Sequence, residues 1–131
     1  MVNVEYVEGS KFMVKAREHE VICDQPIPTG DNSGMGPVEL FLGALGSCAG
    51  FYAKEFLATR HIEAAGLKIS VTAERSPQPP VRIEHVHIDI QVPSAVDPKY
   101  HDAVKRAAAT CFLFRSMPEP VRMTTEVRAL S

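Results

Sequence analysis

PVELFLGALGSCAGFYAKEFLATR, residues 37–60, is the stretch on which the fold turns. Pro37 suits the first turn of a helix, where its missing N–H has no partner to lose. Leu40, Phe41, Ala44, Leu45, Cys48, Ala49, Tyr52, Phe56 and Leu57 then recur at helical spacing. Much of the remainder is apolar or small until Lys54, and a helix that is apolar nearly all round is buried on most sides. Gly43, Gly46 and Gly50 each cost about 1 kcal/mol relative to alanine in a helix. Close approach of another backbone or helix is the expected compensation. Within the same stretch GALGSCAG, 43–50, sets Cys48 among small residues.

Upstream, Val2, Val4 and Tyr6 alternate with Asn3 and Glu5, which predicts a half-buried strand. Gly9-Ser10 reads as a turn, Phe12, Val14 and Ala16 as a second strand, and HEVIC, 19–23, as a third. The loop DQPIPTGDNSGMGP, 24–37, is too long for a simple connector and is a candidate functional loop, with Asp24 ordering its start. Downstream, Leu67 to Ala73 and Val86 to Val92 alternate cleanly as strands around the turn SPQPP, 76–80. Val81 and Ile83 fall out of phase, which predicts a bulge near His85. Asp97-Pro98 reads as a cap and first helical residue. Tyr100, Ala103, Val104, Ala107, Ala108, Cys111 and Phe114 predict a second inward helical stripe, stopped by Pro118 and Pro120. VRMTTEV, 121–127, closes as a strand. The order βββ-α-ββ-α-β is an α+β layout in a single domain, 1–131.

The chain has 131 residues, 45% hydrophobic and 23% charged, an ordinary globular composition. A net charge of −2 argues against a general nucleic-acid surface. No run of about 18 apolar residues suggests a membrane span, and MVNVEYVEG shows no signal-peptide pattern. Three widely spaced cysteines make neither a disulfide framework nor a zinc pattern, so a cytoplasmic setting is expected. His85, His87 and Asp89 share one strand face, which reads as a solvated surface before it reads as a metal site. No metal or cofactor is expected.

Cys48 admits three readings. It is a buried structural thiol, or the nucleophile of a G-x-C-x-G elbow at 46–50, or a redox thiol with a partner. Cys111, inward on the second helix, is the candidate partner. Cys23 at the end of a strand reads as structural. Met35, Phe51, Tyr52 and Phe56 are either acyl-pocket lining or ordinary core.

The run Gly36-Pro37-Val38-Glu39-Leu40-Phe41-Leu42-Gly43-Ala44-Leu45-Gly46-Ser47-Cys48 resembles the cysteine-bearing helix of the OsmC and organic hydroperoxide resistance family. His19-Glu20-Val21-Ile22-Cys23-Asp24-Gln25-Pro26 resembles the family's run before a glycine-containing loop, and Cys111 falls where its second cysteine sits. The resemblance spans the whole chain. It implies an intertwined OsmC-like homodimer with central buried helices packed on sheets and with sites at the interface. It also implies a thiol-dependent peroxidase that reduces small apolar organic hydroperoxides. Cys48 would then be the peroxidatic cysteine and Cys111 the resolving one. A lipoyl or thioredoxin-like dithiol would restore both.

A reactive thiol must ionise near neutral pH, and burial opposes this. The family uses an arginine held by a glutamate. Glu39 matches the glutamate by motif. Arg17 is the nearest arginine to the matching hairpin, although it is no motif match. Nine residues of helix put Glu39 and Cys48 on opposite sides and roughly 13 Å apart along the axis. Glu39 of one chain is therefore expected to serve Cys48 of the other. The alternatives are a non-enzymatic dimer that binds a ligand or senses redox state and, more distantly, a cysteine hydrolase.

Overall fold

The computed structural model describes residues 1–117 and 121–130. Backbone proximity divides the chain into two compact units, Met1–Phe41 and Leu42–Ser131.

The first unit is an antiparallel meander of β1 (Asn3–Glu8), β2 (Lys11–Ala16) and β3 (His19–Cys23). Its register pairs Val4 with Val14, Tyr6 with Phe12, and Val14 with Val21. Side chains alternate across a sheet, so these residues share one face. The opposite face is charged, with Lys15 Nζ 2.9 Å from Glu5 Oε2 and 3.8 Å from Glu20 Oε1. The alternation predicted for β1 is present, but the expected burial is not. Every residue of β1 is exposed, Val4 at 59% and Tyr6 at 64%. A meander of three short strands supplies an apolar face and nothing to cover it. Beyond β3, Asp24 is buried, and its carboxylate accepts from the backbone N–H groups of Gln25 (2.8 Å), Ser33 (2.9 Å) and Asp31 (3.2 Å). One side chain thereby closes the 24–36 loop, the role expected of it.

The helix α1 (Pro37–Thr59) begins at the predicted proline. The second unit adds β4 (Lys68–Arg75), β5 (Ile83–Val92) and β6 (Arg122–Ala129), in the order β4-β5-β6. β4 and β5 are antiparallel, and β5 and β6 are parallel. A parallel neighbour requires a crossover, supplied by α2 (His101–Ala109) and α3 (Phe112–Ser116). The predicted bulge is there: between the pairs Glu74–His85 and Arg75–Ile83, Glu84 is the extra residue. Asp97 caps the short 3-10 turn Pro98–Tyr100 by accepting from Lys99 N at 2.9 Å.

The core lies between α1, the crossover helices and one face of this sheet. Val86, Ile88, Ile90 and Val92 of β5 are fully buried with Leu45, Ala49, Ala53 and Leu57 of α1 and Val104 and Ala108 of α2. Within the chain, Gly46 and Gly50 of α1 meet side chains of the sheet. A Cβ at Gly46 would stand 2.8 Å from Val71 Cγ2, and one at Gly50 would stand 3.2 Å from Ile69 Cγ1. Gly43 has nothing within 4 Å. Nor is α1 buried on most sides. Gly43, Ala44, Ser47, Phe51, Lys54 and Glu55 form an exposed face, because one chain offers the helix one sheet.

The second helix also departs from the prediction. It breaks after α2: Thr110 turns its hydroxyl back to Ala107 O at 2.7 Å, and Cys111 is extended at φ −56° and ψ 142°. Hydroxyl-to-backbone bonds of this kind compete with helix continuation. α3 then restarts at Phe112. Pro118 and Pro120, the expected helix stops, lie outside the described residues.

Candidate functional site

Cys48 sits in the interior of α1, half-buried, at the border between the face packed on the sheet and the exposed face. Cys111 sits in the break between α2 and α3 and is fully buried. The crossover sets Cys48 beside Cys111, near enough to perturb its thiol, and both are free. Burial first, and the neighbouring Cys48 sulfur second, push the Cys111 thiol above the ordinary cysteine range. A smaller pull from the backbone N–H groups of Phe114 and Leu113 acts the other way. Cys111 therefore keeps its proton. Cys48 is the sulfur of the pair with access to solvent. Two adjacent thiols of this kind can be oxidised to a disulfide, with one sulfur attacked first and the other completing the bond.

The remaining residues of interest fall in other places. Residues 46–50 are internal to α1, so G-x-C-x-G is not the strand-to-helix turn that a nucleophile elbow needs. Glu39 is exposed in the first turn of α1, where its Oε1 accepts from Gly36 N at 2.9 Å. A carboxylate three residues into a helix that reaches back to the cap N–H is half of a capping box. Arg17 is exposed at the β2–β3 turn, with a left-handed φ of 54°. Cys23 is buried at the end of β3 beside Met35, as a structural thiol would be. Phe56 packs edge-on to Tyr100 at 6.1 Å under the Arg60 guanidinium, which makes it a helix-packing residue rather than a pocket wall. Phe51 is 57% exposed beside Tyr52.

His85, His87 and Asp89 do line one sheet face, but no group of three or more His, Cys, Asp and Glu among the described residues could hold a metal. Asp89 is held by Arg128, whose NH2 lies 2.9 Å away, and that bond draws its carboxyl below the usual range. Between the histidines stands Thr124, hydrogen-bonded to both. Strand alternation places Thr124 on a polar face, but only the parallel register of β6 on β5 shows that it meets them. No helix among the described residues is long and apolar enough to cross a membrane.

No curated protein matches the sequence significantly. Solved structures match it over nearly its whole length. One is a Psychrobacter arcticus 273-4 protein named for osmotic stress induction and detoxification response. It is 22% identical, covers 97% of this chain and 94% of its own, and has a TM-score of 0.86. An OsmC-like protein from Mycoplasma pneumoniae is 16% identical over 100% of this chain and 96% of its own, with a TM-score of 0.85. The organic hydroperoxide resistance protein OhrB of Bacillus subtilis is 16% identical over 98% of each chain, with a TM-score of 0.73. At these identities the likeness establishes the fold. In sequence, residues 30–126 match the family model for OsmC-like proteins. The helices and the two sheets agree with that match, and the chain belongs to the OsmC-like protein family.

Proposed function

We propose that the protein is a thiol-dependent peroxidase that reduces organic hydroperoxides, with Cys48 as the attacking sulfur and Cys111 as the resolving one. One observation carries this reading: a half-buried thiol lies beside a buried one that holds its proton more tightly than an ordinary cysteine. The Cys48 thiolate attacks the outer oxygen of ROOH, and the O–O bond breaks. The alkoxide leaves with a proton as ROH, and Cys48 becomes a sulfenic acid. Cys111 then attacks the Cys48 sulfur, a disulfide forms and water leaves. A lipoyl or thioredoxin-like dithiol reduces the disulfide by two exchange steps.

In this reading the whole chain acts as one domain in a homodimer, in the cytoplasm. Support for the dimer comes from the uncovered apolar residues of β1 and β2 and from Phe51, an exposure that favours a partner surface. Arg17, the candidate arginine, held by Glu39 of one protomer, would favour the Cys48 thiolate of the other. The substrate in this reading is a small apolar organic hydroperoxide.

Thiol counting tests the proposal. One equivalent of an alkyl hydroperoxide should lower free thiols from three to one per chain, and Cys48→Ser should lose none. Survival of all three thiols in the native protein would sink the peroxidase reading and favour a non-enzymatic dimer.

A further inference from the structure

The outer face of the β4–β5–β6 sheet carries a polar chain that the thiol chemistry leaves unused. Arg122 NH2 lies 3.2 Å from His85 Nδ1. His85 Nε2 lies 2.7 Å from Thr124 Oγ1, and Thr124 Oγ1 lies 2.9 Å from His87 Nδ1. His87 Nε2 lies 3.8 Å from Glu126 Oε2. The chemistry of the donors gives this chain a direction. A guanidinium only donates, so His85 Nδ1 must accept, and the ring's proton sits on Nε2. That proton is donated to the Thr124 hydroxyl, which turns its own proton to His87 Nδ1. The His87 proton then sits on Nε2 and faces Glu126. Thus Arg122 at one end sets the tautomer of both histidines.

The same His85 Nδ1 has a second neighbour. Glu74 Oε2 of β4 stands 3.5 Å from it, on the opposite side from the β6 arginine. A cation and an anion compete for one nitrogen, and its protonation state decides between them. We propose that His85 is a proton-operated latch between strands. Neutral, it accepts from Arg122 and ties β5 to β6; protonated, it cannot accept, releases Arg122 and donates to Glu74 of β4.

The surrounding charges are consistent with this exchange. From β4 come Glu74 and the neutral Thr72, which pairs with His87. From β6 come Arg122, Thr124 and Glu126. On β5, Glu84 is the bulged residue beside His85, and Asp89 is occupied by Arg128. From α2, Lys105 lines the groove that Thr124 and Glu126 also line. Protonated His87 would donate to Thr124 from Nδ1, so the hydroxyl would accept from both rings and the relay would lose its direction. The consequence falls on β6, which has β5 as its single strand neighbour in the described sheet. Protonation of His85 should loosen β6 and leave β4 in place.

Two measurements on the full chain test the latch. Long-range proton–nitrogen NMR at pH 8 should show both His85 and His87 as the Nε2–H tautomer. Amide exchange, corrected for intrinsic rates, should lose about five-fold protection at β6 between pH 8 and pH 5.5, the worth of one ordinary hydrogen bond. The β4–β5 ladder should keep its protection. Arg122→Met should show the low β6 protection already at pH 8, with no further acid loss. Thr124→Val should release the tautomer of His87, and Thr124→Ser should restore it. An Nδ1–H tautomer of His85 at pH 8, or the same acid loss in Arg122→Met as in the native protein, would overturn the proposal.

Discussion

Gly46→Ala and Gly43→Ala add the same methyl group to the same helix, yet the structure requires opposite outcomes. Either substitution gains about 1 kcal/mol of helix propensity. At Gly43 nothing lies within 4 Å of the added Cβ, so the gain stands alone. At Gly46 the Cβ would stand 2.8 Å from Val71 Cγ2, where carbon atoms settle at about 3.5–4.0 Å. The strand or helix must therefore move by roughly an ångström. Val71 is β-branched and has one stiff torsion, so its methyl cannot swing away cheaply. Such overpacking costs about 1–3 kcal/mol. Propensity cancels between the two variants, so their difference isolates the packing cost. For a chain of this size about 1–3 kcal/mol is a Tm difference of roughly 3–15 °C, with Gly43→Ala the higher. Thermal unfolding followed by far-UV circular dichroism reads it directly. Equal midpoints, or a lower one for Gly43→Ala, would refute the account of α1 resting on β4 through its glycines.

Three further outcomes follow from single groups. Asp24 has its carboxyl held below the usual range, chiefly by the Ser33 N–H and with help from those of Gln25 and Asp31. A depressed folded value contributes stability that is present above the unfolded carboxyl pKa of about 3.9 and is lost as pH falls through the folded value. Acid titration of the unfolding midpoint should therefore show a fall below about pH 4 that is shallower in Asp24→Asn. Cys111 has the opposite sign: its raised thiol contributes stability that is present below the unfolded cysteine value of about 8.5 and is lost as pH rises above it. Urea midpoints from pH 7.5 to 10 should drop less in Cys111→Ala than in the native protein. Leu57 is fully buried, so Leu57→Ala should cost about 2–5 kcal/mol, read as a lowered urea midpoint at unchanged slope.

Much of the fold was legible because alternation and capping are local. Val86, Ile88, Ile90 and Val92 announce a buried strand face by spacing alone, and the phase slip at Val81 and Ile83 locates the bulge at Glu84. Pro37 marks where α1 begins. What escaped depends on partners remote in sequence. Periodicity says that Val4 and Tyr6 share a face, but it cannot say whether anything covers that face. Glycines announce a close approach without naming what approaches, and here it is Ile69 and Val71 of a strand. The break at Thr110 is invisible to a count of apolar positions, since Ala108 and Cys111 stay inward on either side of it.

That break matters most for the pair of cysteines. Spacing placed both thiols inward on separate helices, which is necessary for contact and far from sufficient. In a continuous helix Cys111 would lack free N–H groups ahead of it and would be fixed by one axis. With Cys111 extended, the residue instead heads a new helical segment, and the Phe114 and Leu113 N–H groups face its sulfur. Those donors partly offset the burial that otherwise keeps the thiol protonated. In the proposed cycle this protonated sulfur acts second, closing the disulfide. As the proposed attacking sulfur, Cys48 would need a cation from outside its own helix, because the interior of α1 provides no unpaired N–H. The division of roles proposed for the cysteines thus rests on where each one sits in its helix.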